Sequence, residues 1–296
     1  MAESYDLVFV GNAGLNQLHR SDGTTEPILG GPIFHSALAT SWSDKRVAVV
    51  TRIAPCDADL LEPLRRAGIT TFVSPAPVTT RSHIFYLSDD VDNRRHVLEK
   101  TAGSFSLADL PPITARLLHL VGVNRIEFPL DFMVGLRRRG FDFSVDMQAL
   151  IRTADPETGD VTYGDYPHKQ QVAAMAEKVK LDVVEAEFLT GTSDLEEAAI
   201  QFEKWGSSET MVTRADGALV RHAGKTYFER FSNRGVAGRT GRGDTTFGSY
   251  LVRRMDFGVA DSLKFAVALT SIKMETSGPF AGSLEDVLER MRVDHR

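Results

Sequence analysis

Short uninterrupted apolar runs recur along the chain, each closed by glycine or a polar residue, with amphipathic stretches between them. Leu7-Val8-Phe9-Val10 before Gly11, Val47-Ala48-Val49-Val50, Thr70-Thr71-Phe72-Val73, Leu118-His119-Leu120-Val121 before Gly122, and Phe141-Asp142-Phe143-Ser144-Val145 read as strands of a mostly parallel, buried sheet. Helical spacing fills 60–66 up to Gly68 and 129–139, and it returns near the C-terminus. There Phe247, Leu251 and Met255 lie four apart on one face. Residues 261–275 put Leu263, Val267 and Thr270 on one side before Gly278-Pro279, and 284–291 form a last helix. Strand and helix in alternation predict an α/β fold, a doubly wound, mostly parallel sheet with helices on both faces.

Two segments break the alternation. Residues 19–29 carry the turn signal Ser21-Asp22-Gly23 between polar flanks, and Ser82-His83-Ile84-Phe85-Tyr86-Leu87 and Arg95-His96-Val97-Leu98 flank Asp89-Asp90-Val91-Asp92-Asn93. Both read as hairpins projecting from the sheet, over about 16–30 and 80–100. The acidic turn lacks the spacing and terminal Glu of a calcium loop, so it reads as solvated. A third hairpin, 218–222 with 226–231 around Gly224-Lys225, follows the strand Thr210-Met211-Val212-Thr213.

The densest chemistry lies at 238–248, Gly-Arg-Thr-Gly-Arg-Gly-Asp-Thr-Thr-Phe-Gly. Gly238, Gly241 and Gly243 allow close backbone approach to a ligand, and the helix that follows turns its free amides toward an anion. The spacing matches a Walker A loop except that Asp244 stands where that loop has Lys. A carboxylate there repels phosphate but suits a base that takes the proton of an acceptor hydroxyl. Elsewhere Gly30-Gly31 opens a helix carrying His35, and Asp146 and Gln148 follow a strand, where open α/β sheets bind ligands. Gly11-Asn12-Ala13-Gly14-Leu15-Asn16 is not a dinucleotide fingerprint.

Gly241-Arg242-Gly243-Asp244 resembles the G-A-G-D signature of the PfkB/ribokinase family of carbohydrate kinases. With Thr270-Ser271-Ile272-Lys273-Met274 and Gly278-Pro279, it looks most like the inositol-kinase-like branch. The resemblance spans the chain and implies one ribokinase-like domain, 1–296, with a small β lid formed by the two hairpins. It implies Asp244 as catalytic base and Gly241, Arg242 and Gly243 as the anion hole. It places ATP and Mg2+ beside Asp182 and Glu185, the metal held through water, with Thr213, Arg214 and Gly217 on the nucleotide. It puts the acceptor against Asn16, Gly30, Gly31, His35, Asp146, Gln148 and Arg239. The chain departs from the family pattern in Asn16 for Asp, His35 for Asn, Asp182 for Asn and Gly238-Arg239 for Asp-Thr.

The implied reaction is phosphoryl transfer from ATP to a polyol or sugar hydroxyl, with a myo-inositol-like cyclitol as lead acceptor. Another sugar, a nucleoside, or a catalytically weak regulator of the same fold is the alternative. Composition narrows the rest. A net charge of −6 with dispersed basic residues argues against nucleic acid, and the single Cys56 excludes an intrachain disulfide. No apolar run reaches membrane length and no signal peptide opens the chain, so the expected location is the cytoplasm, with no membrane partner and possible dimer pairing through the lid strands.

Overall fold

The computed structural model describes residues 3–88 and 93–293; Asp89, Asp90, Val91 and Asp92 of the acidic turn lie outside the described residues. The chain runs β1 (Glu3–Val10), β2 (Gly14–His19), β3 (Thr25–Gly30), α1 (Pro32–Leu38), β4 (Val47–Ile53), α2 (Glu62–Arg66), β5 (Thr70–Pro75), β6 (Thr80–Tyr86) and β7 (Arg94–Lys100). It continues through β8 (Ile113–Leu120), α3 (Leu130–Arg138), β9 (Phe143–Asp146), α4 (Gln148–Ile151), β10 (Arg152–Ala154), β11 (Val161–Tyr163), α5 (Lys169–Met175), β12 (Lys178–Asp182), α6 (Val183–Thr190) and α7 (Leu195–Lys204). It ends with β13 (Glu209–Thr213), β14 (Gly217–His222), β15 (Lys225–Arg230), α8 (Arg242–Arg253), α9 (Val259–Met274) and α10 (Leu284–Val293).

Nine strands form the main sheet in the order β15-β14-β13-β12-β9-β8-β1-β4-β5. From β13 to β5 every pairing is parallel, and β14 and β15 add an antiparallel hairpin at one edge. The apolar runs explain this, because strands buried on both faces need no polar alternation. Two large apolar clusters cover the faces. Phe128, Met133, Phe143, Val145, Leu189 and Phe202 belong to one, and Phe9, Ile33, Phe34, Phe247, Tyr250 and Leu263 to the other. After β1 the chain winds outward through β4 and β5, then returns to place β8 on the other side of β1. That reversal opens a crevice at the C-terminal strand ends.

The two expected hairpins form a second sheet, β3-β2-β6-β7, joined by a parallel β2–β6 pairing in register from Gly14 with Thr80 to His19 with Phe85. A two-stranded unit, β10-β11, leans on its outer strand: Leu98 N–H donates to Gly159 O at 2.8 Å, and Arg95 pairs with Asp160. The residues of this support were not read as strands in the sequence.

Candidate active site

A cavity of about 460 Å³ lies between the strand ends and the lid sheet, and Asp244 faces it from the first turn of α8. The helix begins at Arg242, with Gly241 as its N-cap at φ 80°. A Cβ at Gly241 would lie 2.1 Å from the His35 ring, so both conformation and space require glycine. Arg242 N–H donates to Arg239 O (3.2 Å) and Thr245 N–H to Gly241 O (2.9 Å). Among the described residues the amides of Gly243 and Asp244 are left without a backbone acceptor, as the first turn of a helix dictates. These donors are free to meet an anion, and they lie one residue further along than the glycines alone suggest.

Asp244 is half-buried, and its Oδ1 is buried without a hydrogen-bond partner among the described residues. Burial pushes its carboxyl up to about 6, helped by the Asp146 charge and opposed by Lys180, Arg152 and Lys273. A carboxylate held near neutrality, with an unspent oxygen, suits a general base. His35 Nδ1 is also buried and unpartnered, and burial together with the Lys273 charge lowers this imidazole to about 3. The ring is therefore neutral, a packing surface for Gly241 with a polar atom left unspent.

Beneath the loop lies a charged layer. Lys180 Nζ sits 3.1 Å from Asp146 Oδ2 and 3.7 Å from Glu185 Oε2, and all three are buried. Burial opposes the ammonium, yet the Asp146, Glu185, Asp182 and Asp244 carboxylates outweigh it and raise its pKa. Asp182 and Glu185 form a reciprocal capping box at α6: Glu185 N–H donates to Asp182 Oδ1 (2.9 Å), and Asp182 N–H to Glu185 Oε2 (2.7 Å). Burial, reinforced by Asp182, pushes Glu185 up to about 8. Lys273, on α9, donates from Nζ to Gly238 O and Thr240 O and so ties down the loop before α8.

Magnesium fits only as an ion that arrives with phosphate. Among the described residues no three His, Cys, Asp or Glu side chains form a metal cage. Glu185 spends Oε2 on the helix cap and on Lys180, while its Oε1, 3.8 Å from Arg152, is buried without a hydrogen-bond partner among the described residues and is open to a metal-bound water. Asp182 faces the cavity, and one carboxylate plus donor phosphates is an ordinary arrangement for this cation.

Of the residues expected from sequence, Asn16, Gly31, His35, Gln148, Asp182, Thr213, Arg239, Gly241, Arg242, Gly243 and Asp244 line this one cavity. Gly30 packs behind it against the Asn16 side chain, and Asp146 and Glu185 lie below, joined to it through Lys180. Arg214 and Gly217 lie elsewhere. Arg214 forms a two-pronged pair with Asp216 (2.7 and 2.9 Å), and Gly217 N-terminates β14 against Glu229. Lys180, Lys273, Arg152 and Thr240 were not anticipated. A lone Lys inside the apolar strand Val179-Lys180-Leu181 is the signal that pointed to the first of these.

No family model and no curated protein matches this chain. Solved structures do. A sulfate complex of a pyrophosphate-dependent kinase in the ribokinase family is 29% identical, with TM-score 0.88, over 96% of this chain and 99% of that one. A complex of such a kinase with a pyrophosphate analogue and myo-inositol is also 29% identical, with TM-score 0.87 and the same coverage. Ribokinase from Arabidopsis thaliana, complexed with ribose and ATP, shares the fold at 17% identity and TM-score 0.74, over 99% of each chain.

Proposed function

We propose that this chain, a kinase of the ribokinase family that phosphorylates a sugar or polyol hydroxyl, takes its phosphoryl group from pyrophosphate and gives it to a cyclitol of the myo-inositol class. The observation that carries the chemistry is the unspent Asp244 carboxylate oxygen beside the free amides of an α8 N-terminus. Asp244 takes the proton from the acceptor hydroxyl, the resulting oxygen attacks the terminal phosphorus, and the bridging P–O bond breaks with its electron pair leaving on the second phosphate. The amides of Gly243 and Asp244, with Lys180 below them, stabilise charge on the moving group. Magnesium, when bound, neutralises phosphate oxygens; Asp182 would hold it.

Two observations favour pyrophosphate over the ATP expected from sequence. The pyrophosphate-dependent kinases resemble this chain at 29% identity across nearly its full length. The Arg214 guanidinium expected on a nucleotide is spent on Asp216. For the acceptor, Asn16, His35 and Gln148 offer neutral polar groups, which match a polyol's hydroxyls in both donor and acceptor roles.

The test is turnover with pyrophosphate or ATP, each with magnesium, against myo-inositol, ribose, fructose and a nucleoside, with Asp244→Asn as control. Pyrophosphate-dependent product from myo-inositol, lost in the variant, is expected. ATP-only turnover overturns the donor, another acceptor overturns the cyclitol, and no Asp244-dependent transfer leaves a binding regulator.

A further inference from the structure

The cavity carries more positive charge than the chemistry at Asp244 uses. Arg94 comes from lid strand β7, Arg152 from β10 and Arg239 from the loop before α8, and all three line one space. The neighbouring Arg95 is accounted for by Asp160, with Nη2 to Oδ2 at 2.8 Å. Arg94 has no such carboxylate among the described residues; the charges nearest to it are Arg239 and Arg152. Burial, then those two guanidinium groups, lower it to about 10.

Arg152 is only 7% exposed. Its guanidinium lies over the Tyr163 ring at 5.2 Å and reaches Glu185 at 3.8 Å, but its Nε is buried without a hydrogen-bond partner among the described residues. His96 Nε2, one residue along β7 from Arg95, is likewise buried and unpartnered, and burial with the Arg152 and Arg94 charges lowers that ring to about 3. Among the described residues, a guanidinium without a carboxylate, Arg94, beside two buried ring and guanidinium nitrogens without partners is unfavourable by itself and becomes favourable around an anion. The lid tip meets the phosphate loop here, with Tyr86 Oη 3.4 Å from Thr240 Oγ1.

We propose that Arg94, Arg152 and Arg239 form a second phosphate subsite, built jointly by the lid, its β10-β11 support and the loop before α8, which clamps a phosphate group within the cavity that the α8 N-terminus also lines. Arginine forks suit this ligand because each can bind two phosphate oxygens. Given the phosphotransferase reading above, the phosphate comes either from the far end of pyrophosphate or from an acceptor that is already a phosphate ester. A donor without a nucleoside has only its phosphates to hold, which makes such a clamp necessary.

Binding, not turnover, tests it. Pyrophosphate, inorganic phosphate and a cyclitol monophosphate are titrated separately by calorimetry into wild type, Arg94→Gln, Arg94→Lys and Arg152→Gln, with thermal melts to verify folding. Arg94 lies on the lid, so its variants stand even where the buried Arg152 variant does not fold. Pyrophosphate affinity should fall tenfold or more in Arg94→Gln and partly recover in Arg94→Lys. If cyclitol monophosphate loses affinity instead, the subsite holds the acceptor's phosphate. Unchanged affinity of Arg94→Gln for all three anions overturns the subsite. Failure of every polyol to accept a phosphoryl group would overturn the proposed function without touching this result.

Discussion

At Asp244 the surroundings set both reactivity and stability. Its carboxyl sits near 6 against 3.8 for the free side chain, so over that interval the folded chain binds more protons than the unfolded one. The contribution to stability is therefore complete below about pH 4 and is lost as pH rises through 6; at neutral pH the buried charge is a net burden. Asp244→Asn should lower kcat by roughly 10²–10⁴-fold, yet stabilise the protein at pH 7 by on the order of 1–3 kcal/mol, since one pKa unit corresponds to about 1.4 kcal/mol. Thermal melts at pH 4 and 7 check this, with the gain seen only at the higher pH. Wild-type kcat should fall as pH drops below about 6, and this acid limb should vanish in the residual activity of the variant. Gly241 gives a second test. Gly241→Ala drives a methyl into the His35 ring at a backbone angle that alanine resists, so it should abolish donor binding. Adding His35→Ala relieves the clash but not the angle, and only partial recovery of binding is expected.

Among the elements, the joint between β12, α6 and α8 is the one on which site and fold both depend. Lys180, Asp146 and Glu185 are buried together, and removing one partner from such a group leaves an uncompensated charge. Lys180→Met should destabilise the chain by about 3–5 kcal/mol, read in denaturant unfolding, while the double variant Lys180→Met with Asp146→Leu recovers much of that loss. The sequence makes part of this joint visible. The apolar runs disclose the parallel strands, the double glycine marks the start of α1, and the G-x-G-D spacing marks the head of α8, because each is a local demand of backbone geometry. Lys180 and Arg152 are not visible in this way. A charge inside a buried strand becomes intelligible only when Asp146, 34 residues away, supplies its partner, and β10 and β11 are three residues each, too short for periodicity to reveal. The Arg214-Asp216 pair is hidden for the same reason, since a charged loop beside a strand end does not show its internal pairing in the sequence.

Across the whole molecule, the proposed subsite makes the position of the lid sheet depend on what fills the cavity. The lid reaches the phosphate loop through Tyr86 and Thr240, is braced from outside by Gly159 and Asp160, and carries Arg94 inward against two other guanidinium groups. On the proposed subsite, an anion held by Arg94 draws the lid inward, and closure excludes water from the moving phosphoryl group. Pyrophosphate alone should therefore protect the amides of β6 and β7 from hydrogen exchange in the absence of acceptor. It should also raise the melting temperature by the amount that linkage requires, about 2.7 kcal/mol of added stability at a hundredfold excess over Kd. Adenosine at equal concentration should do neither, because it carries no phosphate to meet the guanidinium groups that line the cavity. Protection of the lid by adenosine, or by myo-inositol but not by pyrophosphate, would show that closure follows the nucleoside or the acceptor and would remove the donor from control of the lid. Raising ionic strength discriminates further: a lid held by phosphate charge should lose its pyrophosphate protection as salt screens that charge, whereas one held by apolar packing should keep it.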